Sequence, residues 1–140
     1  MKASFPLPPG SVLGLMGGGQ LGRMFAQSAA TLGYRVAVLE KNTCPASEVS
    51  DQHIAAAYTD PAALASMKKI TAAVTTEFEN VPADALTHLA TGEDACITAP
   101  AADAVSVAQD RLTEKTFLEK TAGIPVAPHA AVLSEADAEN

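Results

Sequence analysis

The sequence predicts an α/β fold with a doubly wound, mostly parallel sheet, and three observations support this prediction. Five short apolar runs alternate with segments of helical periodicity. A glycine-rich turn separates the first apolar run from the first helical segment. The 140 residues include 29 alanines and only six aromatic residues, a composition that suits alanine-rich helices lying flat on a sheet.

The first 40 residues form a predicted βαβ unit. The apolar run at 11–16 ends in glycines and predicts a buried strand. Apolar residues at helical spacing follow, and Gly33 stands where a helix commonly ends. The next apolar run, Arg35–Leu39, ends at Glu40. Two strands joined through a helix are parallel and belong to a buried sheet.

The alternation of strands and helices continues to residue 98. Asp60 followed by Pro61 predicts a helix start, because aspartate caps the first turn and proline tolerates the first helical position. Pro82 opens another predicted helix. In chain order, the predicted elements are a strand at 54–58, a helix from 61 to about 69, a strand at 72–76, a helix from 82 to about 90, and a strand at 95–98.

Beyond residue 100 the pattern changes to two consecutive helices. We predict these helices at 101–108 and 110–122, the second closed by Gly123, with a further possible strand at 129–133. The chain is therefore divided into a disordered or extended arm at 1–10, a sheet domain at 11–100, and a helical linker with the start of an incomplete second domain at 101–140.

Composition and charge exclude several classes of protein. A net charge of −7 argues against a nucleic-acid-binding module, which presents a basic face. No apolar run approaches the ~20 residues that cross a bilayer, and the proline-rich first ten residues lack the apolar segment of a signal peptide. Cys44 and Cys96 show neither metal-ligand spacing nor a disulfide framework. We expect a soluble, cytoplasmic protein that binds neither nucleic acid nor membrane.

Residues 17–22, GGGQLG, satisfy the pattern of a dinucleotide-binding turn. The turn follows a predicted strand, opens a helix, and has Glu40 eighteen residues beyond Gly22 at the end of the second strand. Glycines let the backbone approach a ligand, and the helix N-terminus offers unpaired N–H groups. The sequence therefore favours a phosphate-containing or nucleotide-like ligand at this turn. The alternative is that the glycines only permit tight packing of the helix on the strand.

Two acidic residues lie at the carboxyl end of the fourth predicted strand, where open α/β sheets bind ligands. If the strand continues through residue 79, alternation places Glu77 and Glu79 on one face and Phe78 on the other. A carboxylate beside the glycine turn would accept hydrogen bonds from ligand hydroxyl or amine groups. Solvated acids preceding a helix are the equally supported alternative for Glu79.

Arg111 is predicted to lie in the first turn of a helix capped by Asp110. A cation at this position opposes the helix dipole, which indicates that it has another partner. An anion such as a nucleotide phosphate would serve, although an Arg111 side chain that extends into solvent explains the position equally well.

The sequence contains no other pattern typical of catalysis. It has no phosphate-binding loop of the GxxxxGK[ST] type, no HExxH motif and no GxSxG elbow. Its three histidines are far apart in the sequence, and none has a metal-like neighbour. We therefore assign no catalytic residue and no metal ligand.

Three segments taken together resemble a known family. They are GGGQLGRM at 17–24, TEFENVP at 76–82, and QDR at 109–111, the last followed by Lys115, Phe117, Leu118 and the sequence GIP at 123–125. In this order they resemble the 5-(carboxyamino)imidazole ribonucleotide synthases, ATP-dependent carboxylases of purine biosynthesis in the ATP-grasp superfamily. The match extends from Val12 to Pro128. The glycine pattern alone is weak, whereas the ordered triplet is specific.

The resemblance implies that residues 11–100 form a Rossmann-like pre-ATP-grasp domain and that 101–140 begin the ATP-grasp domain. It implies that Gly19, Gln20, Leu21 and Glu77 bind aminoimidazole ribonucleotide and that Arg111 contacts ATP. The implied co-substrate is bicarbonate, the implied cofactors are ATP and Mg²⁺, and the implied assembly is a homodimer. Members of the family are more than twice this length, so the metal and phosphate ligands are expected beyond Asn140. The chain is then expected to be an amino-terminal portion that is inactive alone.

Three other functions compete with this interpretation. An NAD-binding dehydrogenase domain would place Gly17, Gly19 and Gly22 at the pyrophosphate and Glu40 on the ribose hydroxyls, but it leaves the other two segments unexplained. Formate-dependent glycinamide ribonucleotide transformylase has a similar layout but is expected to carry glutamate in place of Gln20. A non-catalytic module that binds a nucleotide or a partner chain is the third.

Overall fold

The computed structural model describes residues 6–138, and its centre is one five-stranded parallel sheet. The strands are β1 (Val12–Met16), β2 (Arg35–Leu39), β3 (Gln52–Ile54), β4 (Ala73–Thr76) and β5 (Ile97–Ala99). Their order across the sheet is β3-β2-β1-β4-β5, and every neighbouring pair is parallel. The prediction of a doubly wound α/β fold is confirmed.

The helices begin and end largely where local signals place them. Asp60 caps the second helix, because its Oδ1 accepts a hydrogen bond from the N–H of Ala63 at 2.8 Å. Gly33 closes the first helix with a φ of +84°, a conformation that glycine adopts without strain. Within residues 6–138, no helix is long and apolar enough to cross a membrane. The helices are α1 (Gln20–Thr31), α2 (Pro61–Ile70), α3 (Ala83–Ala90), α4 (Ala102–Gln109), α5 (Arg111–Thr116), the π-helical turn Phe117–Thr121, and α6 (Glu135–Ala138).

Apolar side chains cover both faces of the sheet. Successive residues of β1 point to opposite faces, so that Leu15 belongs to one cluster and Met16 to the other. Ala26 and Ala29 bring α1 close to the sheet on the Leu15 face. The Met16 face is covered by α2 and α3, with a contribution from Val105 of α4. Helices on both faces explain why the central strands have no polar face.

The prediction of the third strand at 54–58 is wrong in its bounds, because β3 comprises Gln52–Ile54. The apolar run that suggested the strand begins where pairing ends. β3 lies at the edge of the sheet and pairs with β2 alone, so it can carry polar residues such as Gln52 and His53. A search for apolar runs does not find an edge strand of this composition.

The structure also differs from the prediction near the carboxyl end. The expected helix at 110–122 is divided into α5 and a π-helical turn. The possible strand at 129–133 is absent, and these residues are exposed without regular structure. Within the described residues, no sheet strand pairs with them, and an apolar run without a neighbouring strand does not form a ladder. Part of the expected acidic end, residues 139–140, lies outside the described residues.

The described part of the amino-terminal arm contacts the sheet domain at the end of α1. The Tyr34 hydroxyl donates a hydrogen bond of 2.9 Å to the carbonyl of Leu7, and the N–H of Gly10 donates one of 2.7 Å to the carbonyl of Gly33. Residues 1–5, the rest of the expected arm, lie outside the described residues.

Candidate functional site

The candidate site lies where the order of the strands reverses. β1 and β4 are neighbours in the sheet, yet their helical connections run to opposite sides, which opens a crevice at their carboxyl ends. The glycine turn follows β1 at this end, and Glu77 follows β4. A cleft of about 170 Å³ lies between them, and it is lined by Leu15, Leu21, Gly22, Phe25, Thr75, Thr76 and Glu77.

The Glu77 carboxylate binds the N-terminus of α1. Its Oε2 accepts a hydrogen bond of 2.5 Å from the N–H of Gly19, and its Oε1 accepts one of 3.1 Å from the N–H of Leu21. These N–H groups have no partner within the helix, and the positive end of the helix dipole favours a negative charge beside them. The position at which a dinucleotide fold holds a phosphate is therefore filled by a carboxylate of the same chain.

The glycines of the turn are required by this contact. A β-carbon at position 19 would overlap Oε1 of Glu77, and one at position 17 would lie 2.7 Å from the Glu77 Cβ. Gly17 also has a φ of +109°, which other residues rarely adopt. The glycine pattern thus serves the approach of Glu77 to the backbone. In this structure, the N–H groups at which a ligand phosphate was expected already bind the Glu77 carboxylate.

The segment after β2 packs on the other side of the turn. The N–H of Ala46 donates a hydrogen bond of 3.0 Å to the carbonyl of Gly18, and a β-carbon on Gly18 would overlap Sγ of Cys44. Arg23 joins the same segment to α1, because its guanidinium contacts Glu48 at 2.5 Å and the carbonyl of Pro45 at 3.3 Å. The turn is therefore held from two sides.

Glu40 is engaged within the protein and does not extend into the crevice as a free carboxylate. The Tyr58 hydroxyl donates a hydrogen bond to it, and the N–H of Lys41 donates another at 2.8 Å. The Tyr58 ring packs against Phe78, with 6.0 Å between ring centroids. Burial raises the pKa of Tyr58 well above its usual value, and the hydrogen bond to Glu40 and the charges of Glu40 and Glu77 raise it further. In the NAD alternative, ribose hydroxyls would have to share this carboxylate with the two donors that already bind it.

The structure brings together three of the four residues proposed to bind the ribonucleotide. Gly19, Leu21 and Glu77 are joined by hydrogen bonds, and the fourth, Gln20, lies between them in the turn with an exposed side chain. Glu79 does not join them. β4 ends at Thr76, so the strand does not continue through residue 79, and the expected shared face of the two glutamates is not formed.

Arg111 lies in the first turn of α5, as predicted. Asp110 caps this helix by accepting a hydrogen bond of 2.7 Å from the N–H of Thr113. The side chain of Thr113, and after it this N–H group, lower the pKa of the Asp110 carboxyl. The Arg111 guanidinium donates to Glu114, and its side chain is 76% exposed. Among residues 6–138, no hydrogen bond or ion pair joins Arg111 to Glu77 or to the glycine turn.

Three further residues at this edge of the sheet make contacts that the sequence did not predict, although Phe78 and Gln109 belong to the segments that carry the family resemblance. They are Tyr58, Phe78 and Gln109, of which the first two form the aromatic pair and the third binds the segment after Glu77. Their contacts join parts of the chain 20 or more residues apart, a separation at which no local pattern operates. A second cleft of about 320 Å³ lies beside Glu77, between the segment Thr76–Glu79 and α4.

The described residues hold no group of three histidine, cysteine, aspartate or glutamate side chains positioned to bind a metal ion.

Comparison with known proteins points to one family of enzymes. The N5-carboxyaminoimidazole ribonucleotide synthase of Brucella melitensis is 49% identical over 123 residues, which are 87% of this chain and 33% of that protein. The structure of N5-carboxyaminoimidazole synthetase from Staphylococcus aureus, complexed with ADP, superposes with a TM-score of 0.84 at 38% identity, covering 95% of this chain and 36% of that one. The chain thus spans about a third of the length of these relatives.

A second similar structure contains two ligands. N5-carboxyaminoimidazole synthase from Aspergillus clavatus, in complex with ADP and 5-aminoimidazole ribonucleotide, has a TM-score of 0.75 at 33% identity, over 85% of this chain and 31% of that one. The family model of the ribonucleotide synthetase preATP-grasp domain matches residues 11–109. The chain belongs to the family of ribonucleotide synthetase preATP-grasp domains.

Proposed function

We propose that this chain is the amino-terminal sheet domain of an ATP-dependent ligase that carboxylates 5-aminoimidazole ribonucleotide with bicarbonate. The product is N5-carboxyaminoimidazole ribonucleotide, an intermediate of purine biosynthesis. The names of the relatives support this assignment, and so does the Aspergillus structure that contains ADP and the ribonucleotide. The observation that carries the proposal is the Glu77 carboxylate held on the glycine turn at the switch point of the sheet.

Glu77 is proposed to accept hydrogen bonds from the ribonucleotide. An ionised carboxylate has about four lone-pair directions, and the turn uses two of them. The remaining directions suit amine or hydroxyl donors and repel phosphate, so this edge of the sheet selects the uncharged, donor-bearing part of the ligand. Gly19, Gln20 and Leu21 would form the wall beside it.

Arg111 is proposed to contact ATP. Its ion pair with Glu114 is exposed, and such pairs contribute little to stability, so a phosphate oxygen can replace Glu114 at low cost. The Mg²⁺ ligands and most of the phosphate-binding groups are proposed to belong to a part of the enzyme outside these 140 residues.

In the proposed reaction, bicarbonate attacks the γ-phosphorus of ATP to give carboxyphosphate and ADP. The exocyclic amine of the ribonucleotide then attacks the carboxyl carbon, or the CO₂ that carboxyphosphate releases, and inorganic phosphate leaves. The amine loses one proton in this step. The sheet domain is proposed to bind and orient the amine-bearing substrate. We further propose that the full-length enzyme is a cytoplasmic homodimer.

The proposal is tested with the full-length protein, ATP and ¹³C-bicarbonate. We expect ADP release that depends on aminoimidazole ribonucleotide, and a labelled carboxylated product. Glycinamide ribonucleotide with formate serves as the control substrate pair and should give no turnover. ATP turnover only with the control pair would show that the enzyme is a transformylase. The 140-residue chain alone should release no phosphate under either condition.

A further inference from the structure

Gln109 is the last residue of α4, and its side chain reaches the segment that follows Glu77. Its amide nitrogen donates two hydrogen bonds, one of 2.9 Å to the carbonyl of Glu79 and one of 2.6 Å to the carbonyl of Val81. A primary amide has two N–H donors, so this contact uses both of them. Neither carbonyl belongs to a helix or strand, and Gln109 satisfies both.

The segment from Glu77 to Val81 is therefore fastened at both ends. At its beginning, the N–H of Glu77 continues the pairing with β1 through a bond of 2.9 Å to Met16, and the Glu77 carboxylate holds the glycine turn. At its far end, the buried Val81 and the two Gln109 bonds hold it. Between these ends, Phe78 packs against Tyr58, whereas Glu79 and Asn80 are exposed, so the far end of the segment is held by Val81 and Gln109.

Gln109 also joins the two walls of the larger cleft. One wall is formed by the segment from Thr76 to Glu79, and the other includes Ala104 and Ala108 of α4. Because Gln109 follows Ala108 and binds the carbonyl of Glu79, its amide sets the separation of the walls at that end. The next two residues are the cap of α5 and Arg111.

We propose that Gln109 is a positioning residue that holds the Glu77 carboxylate in the orientation in which it receives the ribonucleotide. It acts through the segment that it fastens and does not touch the substrate. Arg111 does not depend on the same bonds, because Asp110 caps α5 independently of Gln109. The proposal rests on the proposed function in assigning the ribonucleotide to Glu77, but the mechanical link between Gln109 and Glu77 can be measured without any substrate.

The test compares Gln109→Met with Gln27→Met in the full-length protein. Methionine keeps the length of the side chain and removes both donors, and Gln27 is an exposed glutamine on α1 that supplies a matched control. In Gln109→Met, the amide hydrogens of Gly19 and Leu21 should exchange with solvent at least about threefold faster than in the wild type, because Glu77 is held less firmly. Gln27→Met should leave the exchange at both amides unchanged.

The kinetic measurement separates positioning from general destabilisation. In Gln109→Met, kcat/KM for aminoimidazole ribonucleotide should fall roughly three- to tenfold, the effect of one or two net hydrogen bonds. The KM for ATP should change less than about twofold. The proposal would be overturned if kcat/KM fell equally for the ribonucleotide and for ATP, or if amide exchange at Gly19 and Leu21 were unchanged. If the methionine variant does not fold, Gln109→Asn, whose shorter amide cannot span both carbonyls, should show the same pattern to a smaller degree.

The two proposals fail in different ways. If the wild-type protein does not carboxylate the ribonucleotide, the proposed function is wrong, whereas the exchange measurement still decides whether Gln109 positions Glu77. If carboxylation proceeds and the exchange at Gly19 and Leu21 is indifferent to Gln109→Met, only the role of Gln109 is wrong.

Discussion

Glu77 and Glu79 are two residues apart and chemically identical, and the structure gives them different environments. Glu77 is half-buried and accepts two backbone hydrogen bonds, whereas Glu79 is exposed and contributes only its carbonyl to a contact. The difference arises because β4 ends at Thr76, so that the next residue still meets the glycine turn while Glu79 lies beyond it. One acid therefore belongs to the crevice and the other to the surface.

Glu77→Gln in the full-length enzyme should reduce kcat/KM for aminoimidazole ribonucleotide by about 10- to 150-fold. The loss corresponds to a charge-assisted hydrogen bond of roughly 1.5–3 kcal/mol. The KM for ATP should change little, and Glu79→Gln is the matched control that removes the same charge from the surface. Steady-state kinetics with each substrate varied measures both effects. If Glu77→Gln has the kinetics of the wild type and Glu79→Gln has a strongly reduced kcat/KM for the ribonucleotide, the assignment of the two glutamates is reversed.

Arg111→Ala should show the opposite kinetic pattern: the KM for ATP should rise, and kcat/KM for aminoimidazole ribonucleotide should stay unchanged. The guanidinium is exposed and its partner Glu114 is replaceable, so the substitution should cost little stability. Initial rates at varied ATP and saturating ribonucleotide measure the effect, and Lys120→Ala, which removes an exposed cation at the end of the π-helical turn, is the control. A change in kcat/KM for the ribonucleotide without a change in the KM for ATP would contradict the proposed contact between Arg111 and ATP.

The sequence could identify Glu77 only in part. The position of an acid at the end of a strand follows from the apolar pattern, and the resemblance to the synthases ranked Glu77 above Glu79. The bond between the Glu77 carboxylate and the N–H groups of Gly19 and Leu21 joins residues 58 and 56 positions apart. A contact of that separation is a product of the topology, and no local pattern encodes it.

The glycine turn, as an element, is packed on both sides without spare volume. Gly18→Ala should lower the free energy of unfolding by about 1–3 kcal/mol, because the new methyl group would overlap Sγ of Cys44 and force a shift. Chemical unfolding of wild type, Gly18→Ala and the double variant Gly18→Ala/Cys44→Ala measures this effect. The double variant should recover part of the loss, with Cys44→Ala alone as the control. A loss of less than about 0.5 kcal/mol in Gly18→Ala would show that the turn is loosely packed.

The connection between β3 and α2 carries a tyrosine whose ionisation is suppressed. Burial, the hydrogen bond to Glu40 and nearby negative charges raise the folded-state pKa of Tyr58 above its unfolded value of about 10. Such a group stabilises the fold fully below pH ~10, and this contribution is lost as the pH rises through the folded pKa. The free energy of unfolding should therefore fall as the pH rises above about 10.

The contribution of Tyr58 is isolated by comparing unfolding between about pH 8 and pH 11 in wild type, Tyr58→Phe and Glu40→Gln. In Tyr58→Phe the free energy of unfolding should fall less steeply with rising pH, because position 58 then has no phenol to ionise. Glu40→Gln should lie between the two, because one source of the raised pKa is removed while burial remains. If the free energy of unfolding fell equally steeply in Tyr58→Phe, groups other than Tyr58 would cause the alkaline destabilisation.

Elements with local signals at their ends were predictable, and elements defined by their neighbours were not. The start of α2 follows from Asp60 and Pro61, and the end of α1 follows from Gly33, because caps act within a single turn. The polar edge strand β3 and the absence of a strand at 129–133 depend on which chain segments lie alongside. No local sequence pattern shows which segments lie alongside each other.

At the scale of the whole molecule, the order β3-β2-β1-β4-β5 is that of a dinucleotide-binding fold, yet the phosphate position belongs to Glu77. The fold class and the end of the sheet at which the crevice lies were within reach of the sequence. The presence of the Glu77 carboxylate at the turn was not, because the sequence GGGQLG is compatible both with a ligand phosphate and with a carboxylate of the same chain. Fold resemblance alone does not identify the ligand of this crevice.

The central claim is that Glu77 at the glycine turn binds the ribonucleotide and that the turn does not bind a dinucleotide. Its most direct test is calorimetric titration of the full-length protein with aminoimidazole ribonucleotide and with NAD, in wild type and in Glu77→Gln. We predict saturable binding of the ribonucleotide to the wild type, weakening of that binding in Glu77→Gln, and no saturable binding of NAD to the wild type. NAD binding to the wild type at micromolar affinity, or ribonucleotide binding that is indifferent to Glu77→Gln, would contradict the assignment of this crevice to Glu77 and the ribonucleotide.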